Sequence, residues 1–279
     1  MNDRSARRSV IALLVLLVIT AAACGDDGGG SQDAQPSTTS TTSGTTTTVE
    51  KAEATVVSGA GDIGPKVEEY RSLLGPDNGG SPDPQTAGRR EINWDAVPDE
   101  FAAPNALPPD FFNAAEAPRA RGAVLETPGD HVAVSADVNN TASAGVRFGD
   151  LNPTYANTFR AFSEERLFSP VGSNVVDLRF FVPGTDTPAA VRGFGAVYTD
   201  VDKAETAAFE LFDADDQSLG KFAVPVSEMG FSFLAIAYDD AIVSRVRIVY
   251  GNTELGPDDN DQYDVAVMDD FIFGEPQPR

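Results

Sequence analysis

A period of two in the second half of the chain limits the fold more than any other feature. In "VVDLRFFV", Val176, Leu178 and Phe180 fall on one side and Asp177 and Arg179 on the other, the pattern of a strand with one buried face. The runs "AVRGFGAVYT", "AAFELFD", "SLGKFAVPV", "FSFLAIAY", "SRVRIVYG" and "YDVAVMDDFIFG" follow, with "DADDQ" and "GPDDNDQ" as polar loops between them. No helical stretch of comparable strength interrupts them. The expected fold is mainly β, an antiparallel β-sandwich closed as a jelly roll.

Upstream, "PKVEEYRSLLG" places Val67, Tyr70 and Leu74 at helical spacing. Pro65 suits the first turn and Gly75 the position beyond the end, which predicts one short N-terminal helix. The loop "GPDNGGSPDPQTAG" leads to "RREINWD", where Ile92 and Trp94 alternate with polar neighbours, so the sheet is expected to begin near Arg89. Residues 51–88 then form a helix and loop, and 89–279 the sandwich domain.

The start of the chain reads as an address. Arg4, Arg7 and Arg8 precede "VIALLVLLVITAAA", 14 charge-free residues ending in small ones, the layout of an export signal over residues 1–23. A bilayer-spanning helix needs about 20 residues. "AAAC" at Ala21–Cys24 resembles the lipobox of bacterial lipoproteins, which implies that Cys24, the one cysteine of the chain, carries the lipid. The alternative is an ordinary signal cut after Ala23 beside a free cysteine. No second cysteine remains for a disulfide or a thiolate metal site. Residues 24–50, rich in Ser, Thr and Gly, are too polar to bury a core and read as a disordered tether, with a reach of roughly 25–30 Å. The expected location is outside the cytoplasm, lipid-anchored on the outer face of the cell membrane, or on a periplasmic or outer-membrane face in a diderm cell.

The formal net charge of −23 repels phosphate backbones and anionic head groups. Nucleic acid is therefore not an expected partner, and the lipid on Cys24 is the expected membrane attachment. Cations, neutral sugars or basic partners remain compatible with that charge, as does a role in solubility alone.

The segment from "FGDLNPTYANTFRAFSEERLF" through "VVDLRFFVPGTDTPAAVRGFGAVYTDVD", with "LFDADDQSLG" and the final "VMDDFIFG", resembles exported bacterial jelly-roll domains of the galactose-binding-like type. Similar segments precede the PEP-CTERM sorting signal in other secreted proteins. The resemblance covers Phe148–Gly274 and implies fold and export. Functions in that group are mostly unassigned, so it brings no catalytic residue with it, and for this chain a lipid anchor is expected in place of a sorting helix.

Motifs for catalysis are sparse. His131 is the sole histidine, there is no Gly-x-Ser-x-Gly elbow, and Cys24 is committed to the lipid, which leaves a serine or cysteine nucleophile without a visible base. One imidazole cannot build a histidine zinc site, and no phosphate-cradling glycine motif occurs. Paired carboxylates of the glycosidase kind remain, with Glu164 and Glu165 or Asp269 and Asp270 as nominees. The chain is accordingly expected to be non-enzymatic, with a carboxylate-dependent glycoside hydrolase as the alternative.

Acids that break a pattern carry more information. Strict alternation along the last strand puts Val265, Val267, Asp269, Phe271 and Phe273 on one face and Asp270 on the other. If the Val/Phe face is the core, Asp269 points inward and needs a cation, an arginine or several N–H donors. Calcium is the expected cofactor on that reading, with Asp200 and Asp202 of "YTDVD" supplying further oxygens. The alternatives are a hydrogen-bonded aspartate that pins a crossing loop, or one displaced by a bulge. "DADDQS" is not an EF-hand, because Ser218 replaces its glycine and Val224 its glutamate. "PDDNDQYD" is a solvated turn or a second ion site.

Sugar binding would use an aromatic face flanked by polar groups. Asn93, Trp94 and Asp95 form the best local set, with Tyr155, Tyr198, Tyr238 and Tyr263 as other platforms; a tryptophan in an alternating strand is otherwise core. The function these features predict is a binding module for a glycan or another cell-envelope ligand. A calcium-stabilised structural or adhesion module without a small ligand is the alternative.

Overall fold

The computed structural model describes residues 52–279. The signal, Cys24 and the tether lie outside the described residues. In chain order the elements are β1 (Thr55–Ala60), α1 (Gly64–Leu74), β2 (Arg89–Ile92), β3 (Ala123–Glu126), β4 (His131–Val134), α2 (Tyr155–Thr158), β5 (Phe168–Val171) and β6 (Val175–Phe180). There follow β7 (Ala189–Ala190), β8 (Gly193–Val201), β9 (Ala208–Phe212), β10 (Ser218–Ala223), β11 (Ser227–Ala237), β12 (Arg245–Val249), β13 (Val267–Gly274) and β14 (Gln277–Pro278).

The chain is mainly β, and its two large sheets are antiparallel throughout. The larger has the order β1-β11-β8-β13-β5-β4, with β2 also paired to β13, and the smaller has the order β10-β9-β12-β6-β3. They face each other in a sandwich-like arrangement. Phe194 of β8 meets Phe209 of β9 at 4.9 Å between ring centroids, and Phe180 of β6 meets Phe273 of β13 at 5.3 Å. The alternation of β6 is realised as read: Val176, Leu178 and Phe180 are buried while Asp177 and Arg179 are half-exposed. On the outer side of the small sheet Asp177 bridges to Arg245 at 3.0 Å and Arg247 at 2.8 Å.

β8 is buried on both faces, which is why it reads as a nearly continuous apolar and small-residue run. Phe194, Ala196 and Tyr198 enter the core between the sheets, whereas Val197 joins Tyr70, Phe233 and Ile272 under α1. A Cβ on Gly195 would come within 2.5 Å of the Ala235 Cβ and 2.9 Å of the Tyr70 ring, so only glycine lets the helix settle there. The helix itself matches the sequence reading, with Val67, Tyr70 and Leu74 buried, Pro in the first turn and Gly75 at φ 99° closing it. Tyr70 Oη donates to the Ile236 carbonyl at 3.0 Å.

Two expectations need correction. Sheet structure begins at Thr55, not near Arg89: β1 pairs with β11 over its whole length, so residues 51–88 contribute an edge strand to the same sandwich. Only Val57 of β1 is buried, which is why an apolar period could not reveal it. Strict alternation also fails in β13. Met268 pairs with Tyr198 and Phe271 with Ala196, so three steps on one strand face two on the other, and the extra residue is a β-bulge. Ala266 and Met268 therefore share the core with Phe271 and Phe273, while Val265 and Val267 pack against Phe148, Tyr155 and Phe159 on the opposite side.

Candidate functional site

Asp200 is the penultimate residue of β8, and its φ of 68° is a left-handed conformation that aspartate tolerates better than most residues. This turn drops the carboxylate into the protein, where Asp200 is 1% exposed. Its Oδ1 accepts the Met229 N–H at 2.7 Å, and its Oδ2 is buried without a partner. Asp202, two residues on, also has a buried oxygen without a partner, Oδ1. Asp259, on the loop between β12 and β13, completes a group in which one oxygen from each carboxylate lies within 4.8 Å of the others. Asp259 Oδ1 accepts the Val265 N–H at 3.0 Å.

The neighbouring Asp264 is engaged differently. It accepts N–H bonds from Asp202 at 3.1 Å and Lys203 at 3.2 Å, and a hydrogen bond from the Thr206 hydroxyl. Lys203 is the basic group acting on Asp202, yet its Nζ donates to the Asn260 carbonyl at 3.0 Å. Burial, reinforced by the negative charges of Asp202, Asp259 and Asp264, pushes the Asp200 carboxyl up to about 7. Burial and then the contact with Asp259 push Asp202 up to about 6. Such an all-oxygen, anionic set suits a hard cation and not a soft one.

Asp269 is not part of this group. It is fully buried, and its Oδ2 accepts the Phe162 N–H at 2.6 Å and the Ser163 N–H at 3.2 Å. The aspartate thus pins a crossing loop beside the bulge; of the expected set Asp200, Asp202 and Asp269, the first two stand together with Asp259, and Asp269 lies outside that group. Asp270 is buried as well and accepts the Ser163 hydroxyl at 2.6 Å, with Arg71 Nη2 at 3.7 Å. Burial pushes both carboxyls above the ordinary range, and the charge of Asp270 adds to it at Asp269.

Trp94 is a core residue, 1% exposed. Phe168 stacks on its ring at 4.2 Å, Phe112 and Phe271 meet it edge-on at 5.5 and 4.9 Å, and its Nε1 donates to the Asp269 carbonyl at 2.9 Å. The cavity beside it holds about 60 Å³, far below the roughly 300 Å³ of a small ligand pocket. The expected platform of Asn93, Trp94 and Asp95 is therefore not assembled: Asn93 is exposed, and Asp95 Oδ1 accepts the N–H groups of Glu165 and Arg166. Tyr155, Tyr198 and Tyr238 are buried too.

A concavity lies between β3 and β4, each an edge strand of one of the two large sheets. It holds about 770 Å³, with Leu107, Leu125 and Val132 as its buried apolar floor and Asp130, His131 and Arg247 among its polar lining. Asp177 also lines it. Burial raises its carboxyl, but the hydrogen bonds and charges of Arg247 and Arg245 outweigh that and hold it below the ordinary range. Glu126 is paired with Arg179 at 3.1 Å. Glu164 and Glu165, nominated from sequence as a catalytic pair, do not line the cleft.

Sequence reasoning missed the cleft, because Asp177 and Arg247 join its lining from strands distant in the chain from β3 and β4. It missed Asp259 as a partner of Asp200 for the same reason, although the acidic loop that carries it was visible. No protein-family model matches the chain, and no curated protein or solved structure matches it.

Proposed function

We propose that the chain is a non-enzymatic, exported and lipid-anchored β-sandwich of jelly-roll type that binds a glycan or another cell-envelope ligand in the cleft between β3 and β4. The cleft carries this reading: its volume of about 770 Å³ falls in the usual range of small-ligand sites. An aliphatic floor with carboxylate, imidazole and guanidinium groups around it suits a polyhydroxyl ligand, held through its hydroxyls and not by aromatic stacking. Cys24 supplies the membrane anchor and residues 25–50 the reach. The acidic balance disfavours nucleic acid.

The ion pairs at the cleft favour binding over hydrolysis. A glycosidase needs one carboxyl with a raised pKa to act as acid, whereas Asp177 is held low by its arginines and Glu126 is tied to Arg179. The test is an array of cell-envelope glycans probed with the full chain and with Asp130→Ala and His131→Ala. The expected result is retained glycans that both changes weaken. Undiminished binding by both variants would remove the cleft, and turnover of a bound glycan would restore the hydrolase.

A second reading, a calcium-stabilised structural or adhesion module without a small ligand, is favoured by the bare carboxylate oxygen of Asp200.

A further inference from the structure

We infer that Asp200, Asp202 and Asp259 form a calcium site that fastens the loop between β12 and β13 to the end of β8. The site supplies the cation that the second reading needs. It shares no residue with the cleft, so it stands whether or not the cleft binds a glycan.

A cluster of acids is common on protein surfaces and means little alone. This one differs at Asp200, which is 1% exposed and keeps Oδ2 without any partner. A buried carboxylate oxygen with no hydrogen bond costs free energy that a folded chain ordinarily avoids. Asp202 repeats the pattern with Oδ1. Both residues with an orphaned oxygen belong to the group whose third member is Asp259, and one oxygen from each of the three lies within 4.8 Å of the others. Two oxygens that border one calcium ion at about 2.4 Å from it are separated by less than about 4.8 Å.

Lys203 is the basic group that acts on Asp202, yet Asp200 Oδ2 is left without a hydrogen-bond partner. Lys203 gives its Nζ to the Asn260 carbonyl, and Asp264 is already saturated by two N–H groups and a hydroxyl. The backbone around the group is also fixed in advance. Met229 N–H orients Asp200 through Oδ1, and Val265 N–H orients Asp259, so two of the three carboxylates are each held by a backbone N–H. Calcium fits this set better than magnesium or zinc. It accepts six to eight oxygens in irregular geometry, including carbonyls and water, whereas magnesium demands a tight octahedron and zinc favours nitrogen and sulfur donors.

The consequence is a staple of long reach. Asp200 lies at the end of β8 and Asp202 just beyond it, while Asp259 belongs to a loop that also holds Asp258, the partner of Asn152 Nδ2 at 2.8 Å, and Pro257, whose carbonyl accepts Tyr155 Oη at 2.7 Å. Calcium at the three aspartates would tie that loop, and through it α2, to the sheet.

The test uses the full chain in detergent, freed of metal with chelator and titrated with calcium chloride by calorimetry, with magnesium chloride in parallel. The expected result is one calcium bound per chain with a dissociation constant of about 0.1–1 mM, the range of extracellular modules. Melting temperature should rise with calcium, and proteolytic cleavage within residues 257–264 should slow. Asp259→Asn, on a half-exposed loop, should abolish all three responses while its near-UV circular dichroism stays that of the parent chain. Asp200→Asn should abolish the calcium response and melt higher than the metal-free parent, because it removes a buried like charge. Identical melting with calcium and with chelator would overturn the site, as would calcium binding that survives Asp259→Asn. Equal affinity for magnesium would overturn the choice of calcium.

Discussion

Asp269 carries more of the fold than Asp270, although both are buried and adjacent. Asp269 holds two backbone N–H groups of the crossing segment, from Phe162 and Ser163, whereas the short bond to Asp270 comes from the Ser163 hydroxyl alone. Asp269→Ala should therefore destabilise by about 1–3 kcal/mol in denaturant titrations, since it leaves those donors unpaired, and Asp270→Ala by less. Equal losses would remove the pin. The pair also fixes a sign for pH dependence. As pH rises past about 4 the unfolded chain loses its carboxyl proton. Asp269, pushed up to about 8 by burial and then by the charge of Asp270, keeps its proton. Stability then falls from about pH 4 to 8 as the folded form holds the extra proton, and Asp269→Asn should flatten that slope. That an aspartate was buried here was legible from the apolar residues around it. Its partner was not, because the crossing loop lies 107 residues earlier at Phe162. Trp94 misled for a related reason: its polar neighbours suggested a surface platform, but Phe168 and Phe271, remote in sequence, close over its ring.

The strands show where local pattern suffices. β6, β8, β9, β11, β12 and β13 were legible because each buries a set of side chains at period two or on both faces. β1 was not, since an edge strand with one buried residue leaves no period. The β13 bulge was invisible too, because one extra residue changes the faces without changing the composition. The glycines of β8 belong to this scale. Gly195→Ala would set a methyl against Ala235 and Tyr70, and overpacking of this kind costs about 1–3 kcal/mol. The denaturation midpoint should fall, with α1 losing amide protection before the sheet does. A midpoint unchanged from the parent would mean that helix and sheet are not in close contact at this point.

In the whole molecule, the described residues 52–279 belong to one compact unit, and the anchor and tether are proposed from the sequence before it. The anchor was argued from the apolar run and "AAAC" alone, so its test is independent of the fold: Cys24→Ser should move the protein from the membrane to the soluble fraction with its melting temperature unchanged. Membrane retention of that variant would contradict lipidation. The cleft was the part least legible in the sequence, since its floor joins Leu107, Leu125 and Val132, three residues that no local period relates. Whether the cleft binds a glycan is read by heteronuclear NMR of the full-length Cys24→Ser chain, titrated with a glycan retained on the array. Amide shifts should concentrate at Leu107, Thr127, His131 and Val132 and saturate with the glycan. Shifts centred on Trp94 and Tyr263, or a spectrum that does not change, would contradict binding in the cleft.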